Sequence, residues 1–233
     1  MRYVALVVVL AGCSRAVAPA PDRPAASASA STAPISDSRF EADILDVSRG
    51  YGAMARADGT WWAPENCFLP SHPSFVSKAE SGPHGRKIYA LFVKDYDAYA
   101  ALTPEVKIAP ARGLPRTPLP PRGKIGTFEQ VVVKEAWSPV AADAPCDEEM
   151  RSALERIVIE GKPMRACKQA GLFVMVRPGG SPEGTDEGWV YGTVQFERRE
   201  AHVFEPRVTA AGKIATCMGC HTKAPHGRLF GLH

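Results

Sequence analysis

The chain of 233 residues has no long hydrophobic run. Its clearest apolar stretch, Tyr3–Leu10 in MRYVALVVVLAGCSRA, falls well short of the roughly 20 residues a helix needs to cross a bilayer. Neither sign of charge dominates: 28 Lys and Arg face 25 Asp and Glu, a formal net charge of +3. No cluster of basic residues with interleaved aromatics is found, so nucleic acid is excluded as a partner. Internal repeats are missing, and so is a second Cys-x-x-Cys or a His pair at zinc-finger spacing.

The short apolar run after Arg2 fits the core of a secretory signal peptide. It closes on Leu10-Ala11-Gly12-Cys13, which resembles the lipobox of bacterial lipoproteins. That resemblance implies a signal peptide over residues 1–12, a lipidated Cys13 as the new N-terminus, and a membrane anchored through acyl chains. Ser14 after the cysteine points, by the same analogy, to the periplasmic face of the outer membrane. Residues 13–38 are rich in Ala, Pro and Ser and read as a flexible tether. The remaining residues, 39–233, suffice for one domain of ordinary size.

Within that domain Phe40, Ile44, Leu45 and Val47 recur at helical spacing behind Asp37 or Ser38 as an N-cap. ADGTWWAPENCFLPSHPSF reads as an irregular segment. RKIYALFVKDYDAY starts as a strand over Lys87–Lys94 and becomes a short helix from Asp95. Six prolines between Pro104 and Pro121 predict a long loop. TFEQVVVKEAW, β-branched and bounded by Gly126 and Pro139, is the strongest strand. DEEMRSALERIVIE reads as a helix, and AGLFVMVRPGG with EGWVYGTVQFE as a hairpin. The fold class expected is α+β: a predominantly antiparallel β-sheet with flanking helices and a C-terminal helix that carries the motif described next.

That motif is Cys217-Met218-Gly219-Cys220-His221 in ATCMGCHTKAPHGRLFGLH. Cys-x-x-Cys-His is the attachment pattern of c-type haem. Two thiols three residues apart on a helical turn can each add to one vinyl group of the same porphyrin. His221, four residues after Cys217, then reaches the iron from the same face. Cys-x-x-Cys alone would also suit a redox disulfide or half of a zinc site. The missing second motif, the lack of a thioredoxin-like βαβ pattern and the export signal argue instead for one covalent haem c. With Cys13 assigned to lipid, Cys67, Cys146 and Cys167 remain, an odd number in an oxidising compartment. Cys146–Cys167 is the favoured disulfide, with the other thiol free.

Only twelve residues follow His221, and none is methionine. Met218 lies inside the loop between the cysteines, and His226 lies too close to His221 to reach the opposite face. A sixth iron ligand must come from upstream; without one the iron is five-coordinate and binds small molecules. Met150, Met164 and Met175 keep a capped, electron-carrying iron open as an alternative.

Taken together, KIYALFVKDYDAY, TFEQVVVKEAW, GLFVMVR, GWVYGTVQ and AGKIATCMGCH follow one another as in the cytochrome P-460 family, which includes the cytochrome c′-beta relatives. The resemblance spans about Phe40 to Phe230 and implies a sheet-dominated mono-haem cytochrome. In the name-giving members a strand lysine in a Val-Lys-Glu motif is bonded to the haem edge; the matching residue is Lys134, in Val131-Val132-Val133-Lys134-Glu135. By pattern alone Lys134 also suits a strand-edge lysine paired with a carboxylate. Members that oxidise hydroxylamine place an acidic group over the iron from just before the haem motif. Here VTAAGKIAT has only Lys213 as an ionisable side chain, and Glu200 and Glu205 are the nearest preceding carboxylates. The c′-beta relatives instead crowd that space with aromatics, which Phe68, Phe75, Phe92, Phe128 and Phe173 are candidates to supply. The partners implied are a small nitrogen-oxide-type ligand, a redox-partner cytochrome and the membrane, with a homodimer left open. The activity expected is ligand binding at an open iron, with hydroxylamine oxidation as the enzymatic form of it.

Overall fold

A computed structural model describes residues 36–56, 61–62, 87–104, 123–145, 156–159, 161–180, 182–200 and 203–231. The chain divides into units Met1–Thr32 and Ala33–His233, and every described residue belongs to the second. Cys13, Cys67, Phe68, Phe75, Cys146, Met150 and the proline-rich stretch lie outside the described residues.

Helix α1 (Ser38–Gly50) opens on Asp37, whose carboxylate accepts a hydrogen bond from Arg39 N and so satisfies one of the unpaired amides of the first turn. Phe40, Ile44 and Val47 fall on one stripe and are buried. Eight strands follow: β1 (Ala55–Arg56), β2 (Trp61–Trp62), β3 (Ile88–Val93), β4 (Gln130–Ala141), β5 (Arg156–Ile159), β6 (Lys162–Arg177), β7 (Val190–Glu200) and β8 (Val203–Gly212). They form one sheet in the order β1-β3-β4-β6-β7-β8, with β2 against β3 and β5 against β6. Every pairing is antiparallel. Helix α2 (Tyr96–Ala100), capped by Asp95, follows β3, and helix α3 (Ala215–His221) follows β8.

Successive strand residues face opposite sides, which splits the apolar content of β4 in two. On one side Val131 and Val133 join Leu172, Val174, Val190 and Val194 beneath the buried stripe of α1. Full burial of each such side chain contributes about 1.5–3 kcal/mol. Behind this core Glu135 is also buried; Tyr51 Oη donates to it, and Gln169 Nε2 donates at 3.0 Å. On the other side Leu91, Val132, Met175, Tyr191 and Ala210 pack with Ile214 and Leu229, and Cys217 and Met218 of α3 rest on them. Each face of the sheet is thus covered by a different end of the chain.

Three local expectations change, and one strand was not foreseen. Pro139 does not end β4: the register shifts twice, between Ala136/Trp137 and Ser138/Pro139, and the strand continues to Ala141 against β6. Among the described residues β4 pairs with β3 only as far as Trp137, and Pro139 follows a register shift, a place where the ladder tolerates proline. The second half of DEEMRSALERIVIE is strand β5, not helix, because β-branched Ile157-Val158-Ile159 pairs with β6 across a tight turn at Gly161. Trp61 and Trp62 are a strand on β3 rather than an irregular segment. Strand β8, over VFEPRVTAAG, has no sequence expectation to match it; alanines, Pro206 and Gly212 hide its pattern.

Candidate functional site

Helix α3 begins where the extended chain of β8 ends at Gly212 (φ +111°) and turns at Ile214. Cys217 N and Met218 N both donate to Ile214 O, at 3.0 Å each. Seven residues of helix put Cys217 and His221 one turn apart on the same face. Both line a cleft of about 700 Å³, part of it open to solvent.

The sheet supplies the other wall through Leu91, Val132, Phe173 and Met175. Lys134 lines the same cleft, although 83 residues separate it from Cys217. Register explains its place: Lys134 sits between Leu91 of β3 and Phe173 of β6, on the cleft-facing side of β4. Its Nζ lies 4.4 Å from the ring centroid of buried Tyr89. The Lys134 charge acts on both Cys217 and His221.

Cys217 and Cys220 are free thiols, both partly buried. Burial pushes the Cys217 thiol up to about 11, so it is protonated at neutral pH. Among the described residues no group of three or more His, Cys, Asp or Glu could hold a metal ion. His221 Nδ1 lies 2.7 Å from the carbonyl oxygen of Arg228. A carbonyl only accepts, so Nδ1 is the protonated nitrogen. Burial holds His221 below its ordinary pKa, against the opposing effect of that hydrogen bond, so the ring is neutral at pH 7 and Nε2 keeps its lone pair.

Behind His221 stands a second layer that the sequence reading missed. The Arg228 guanidinium grips the buried carboxylate of Asp186 through Nε to Oδ2 at 2.8 Å and a terminal nitrogen to Oδ1 at 2.9 Å. Tyr191 Oη donates to the same Oδ2 at 2.8 Å, and its ring lies 5.5 Å from His221. Phe230 meets His221 edge-on from 5.3 Å. The only hints in sequence were two turn signals, Asp186-Glu187-Gly188 and His226-Gly227-Arg228.

Of the aromatic candidates Phe173 lines the cleft, whereas Phe92 and Phe128 belong to the core under α1, Phe92 edge-on to Tyr51 at 5.1 Å. Tyr99, Tyr191 and Phe230 line it without having been expected. Met175 is on the cleft wall; Met164 is on β6 opposite Ile157 and is not part of that wall. Glu200 and Glu205 are exposed and do not line the cleft, Glu205 pairing with Arg199 at 3.1 Å; Lys213 is exposed too. No carboxylate is among the described residues of the lining. Cys167 is disulfide-bonded to a partner outside the described residues. Comparison of the chain with protein-family models, curated proteins and solved structures finds no match in any of the three.

Proposed function

We propose that the cleft holds one covalent haem c and that the protein is a P-460-type mono-haem cytochrome, lipid-anchored through Cys13 and facing the periplasm. The observation that carries the reading is convergence: Cys217, His221 and the distant Lys134 line one cleft, and His221 has Nδ1 engaged and Nε2 free. Cys217 and Cys220 would hold the group through thioethers, His221 would bind its iron, and Lys134 would lie at its edge. The donor set fits: two free thiols and a neutral imidazole at helical spacing beside a mostly apolar cleft. When bound, the haem supplies an iron centre for small-ligand binding and one-electron chemistry.

The chain's own contribution is binding, orientation and an apolar environment. Leu91, Val132, Phe173 and Met175 give the space beside His221 an apolar wall. Without a carboxylate in the described lining, that wall offers no acidic proton acceptor, which favours binding of an uncharged diatomic such as nitric oxide or carbon monoxide. Hydroxylamine oxidation is the second reading, and Lys134 is the residue that favours it, as an amine on the described wall able to take part in proton movement. Met175 favours a third, a capped electron carrier. The optical spectrum of the purified holoprotein tests these together. A strongly red-shifted Soret band marks a lysine bonded to the ring, and a low-spin spectrum in both redox states marks the capped carrier. A chain that purifies without covalent haem sinks the proposal.

A further inference from the structure

Two tight turns stand beneath His221 and are locked to each other. In the first, Asp186 and Trp189 exchange backbone hydrogen bonds of 2.8 and 3.0 Å around Glu187 (φ +49°) and Gly188 (φ +88°). In the second, His226 and Leu229 do the same at 3.2 and 3.3 Å around Gly227 (φ +56°) and Arg228 (φ +77°). Positive φ at both central residues defines the mirror-image turn that normally selects Gly or Asn. Glu187 and Arg228 are the described non-glycine residues with positive φ, one in each turn. Arg228 therefore occupies a backbone conformation unfavourable for any side chain with a β-carbon.

Something must hold it there, and the contacts show what does. The Arg228 guanidinium forks onto Asp186, and Trp189 Nε1 donates to Gly227 O at 3.0 Å. Asp186 is buried and Arg228 partly so, with side-chain exposures of 7% and 13%. Planar bidentate pairing is the form of ion pair that fixes geometry most strongly. What the fixed turn presents is the carbonyl of Arg228, aimed at Nδ1 of His221. The carboxylate has a second route to the same imidazole through Tyr191, whose hydroxyl it accepts and whose ring packs on His221. A surface turn needing only solvation would have no use for a buried Asp-Arg fork.

We propose that Asp186 is a positioning residue for His221: through Arg228 it places the carbonyl that fixes the tautomer and ring orientation of this imidazole and would strengthen it as a donor to a bound iron. The inference rests on the haem reading of the cleft. A hydrogen bond from the far nitrogen of a metal-bound imidazole raises the basicity of the coordinating one, and outer-layer partners of this kind tune the metal they never touch. Loss of Asp186 leaves the Arg228 guanidinium only its outer partners, the exposed Glu187 carboxylate at 3.0 Å and Thr222 O at 3.5 Å, which loosens the turn and the acceptor it holds against Nδ1.

The test uses the full-length holoprotein and compares wild type with Asp186→Ala, Asp186→Asn and Arg228→Gly. Covalent haem per chain is read by mass spectrometry, the iron–imidazole stretch of the ferrous protein by resonance Raman, and the midpoint potential by titration. The potential serves as readout whether or not the iron has a sixth ligand. With haem content unchanged, Asp186→Ala is expected to move the stretch to lower wavenumber and the potential upward. Arg228→Gly should shift both less, because glycine takes the positive φ unaided and keeps the carbonyl. Should Asp186→Ala fail to fold, Asp186→Asn, which keeps the side-chain volume but not the charge, carries the same expectation. Full haem content with an unmoved stretch and potential in the folded Asp186 variants overturns the inference. A wild-type chain without covalent haem overturns instead the reading on which it rests.

Discussion

The ammonium of Lys134 stands 4.4 Å over the ring of Tyr89, a residue with no exposure at all. A lysine on an otherwise apolar strand needs a partner or a route to water. Here the aromatic face meets part of that need, and such contacts contribute roughly 0.5–2 kcal/mol. The arrangement keeps the charge on the cleft wall instead of letting it swing to bulk solvent.

Lys134→Met is the direct probe of that residue. It keeps chain length and apolar contact on the wall, so covalent haem content and the thermal midpoint should stay near wild type. The optical spectrum should change, losing any red-shifted Soret component. A spectrum identical to wild type would remove Lys134 from the macrocycle edge.

The two thiols should not be interchangeable with any other cysteine. Replacing Cys217 and Cys220 together by Ala is expected to give a chain of apoprotein mass after denaturation, with the sheet retained by circular dichroism. Replacing Cys167 should leave covalent haem in place and act on stability alone, by about 2–5 kcal/mol for loss of a native disulfide. Mass spectrometry of the denatured variants decides both.

The packing of α1 on the sheet rests on the absence of a side chain at position 192. A β-carbon there would lie 2.6 Å from Ile44 Cγ2 and 2.7 Å from its Cδ1. Gly192→Ala should therefore destabilise by about 1–3 kcal/mol through overpacking. Ile44→Ala removes buried volume and should cost about 2–5 kcal/mol. Combining the two should cost less than the sum, because the smaller residue at 44 vacates the space the new methyl needs. Urea unfolding of the three variants measures this, and strict additivity would contradict the contact.

Acid should act through Asp186. Burial pushes its carboxyl up, but hydrogen bonds from Arg228 and Tyr191 and the nearby positive charges outweigh this, leaving its pKa below the ordinary value. A group whose folded pKa is depressed stabilises fully above its unfolded value, near 3.9, and loses that stabilisation as pH falls through the folded value. Unfolding free energy should thus fall below about pH 4 in wild type and less steeply in Asp186→Asn. Removing Asp186 takes away the bidentate partner of Arg228, so Asp186→Ala should be destabilised already at pH 7. Equal acid limbs in wild type and Asp186→Asn would rule this out.

Much of the architecture was legible because it follows local rules. The stripe Phe40, Ile44, Val47 behind Asp37 specifies α1, and β-branched runs specify β3, β4 and the β6–β7 hairpin. Cys217 and His221 could be placed on one helical face from their spacing alone. The failures came where pairing outweighs propensity. Ile157-Val158-Ile159 satisfies a helical pattern as well as a strand, and β6 decided between them. Pro139 looked like a stop, but it follows a register shift in the pairing of β4 with β6, where the ladder tolerates it.

By itself, then, the sequence determined an antiparallel α+β domain and a Cys-x-x-Cys-His helix at its end, because dihedral preferences and side-chain periodicity act over a few residues. Only the tertiary structure decided which distant groups meet. Register between β3, β4 and β6 carries Lys134 to the wall opposite His221, and two interlocked turns carry Asp186 and Arg228 beneath it. Neither meeting has a local signal: a one-residue slip in β4 would turn Lys134 to the α1 side and Glu135 into the cleft. Register is set by the whole sheet at once.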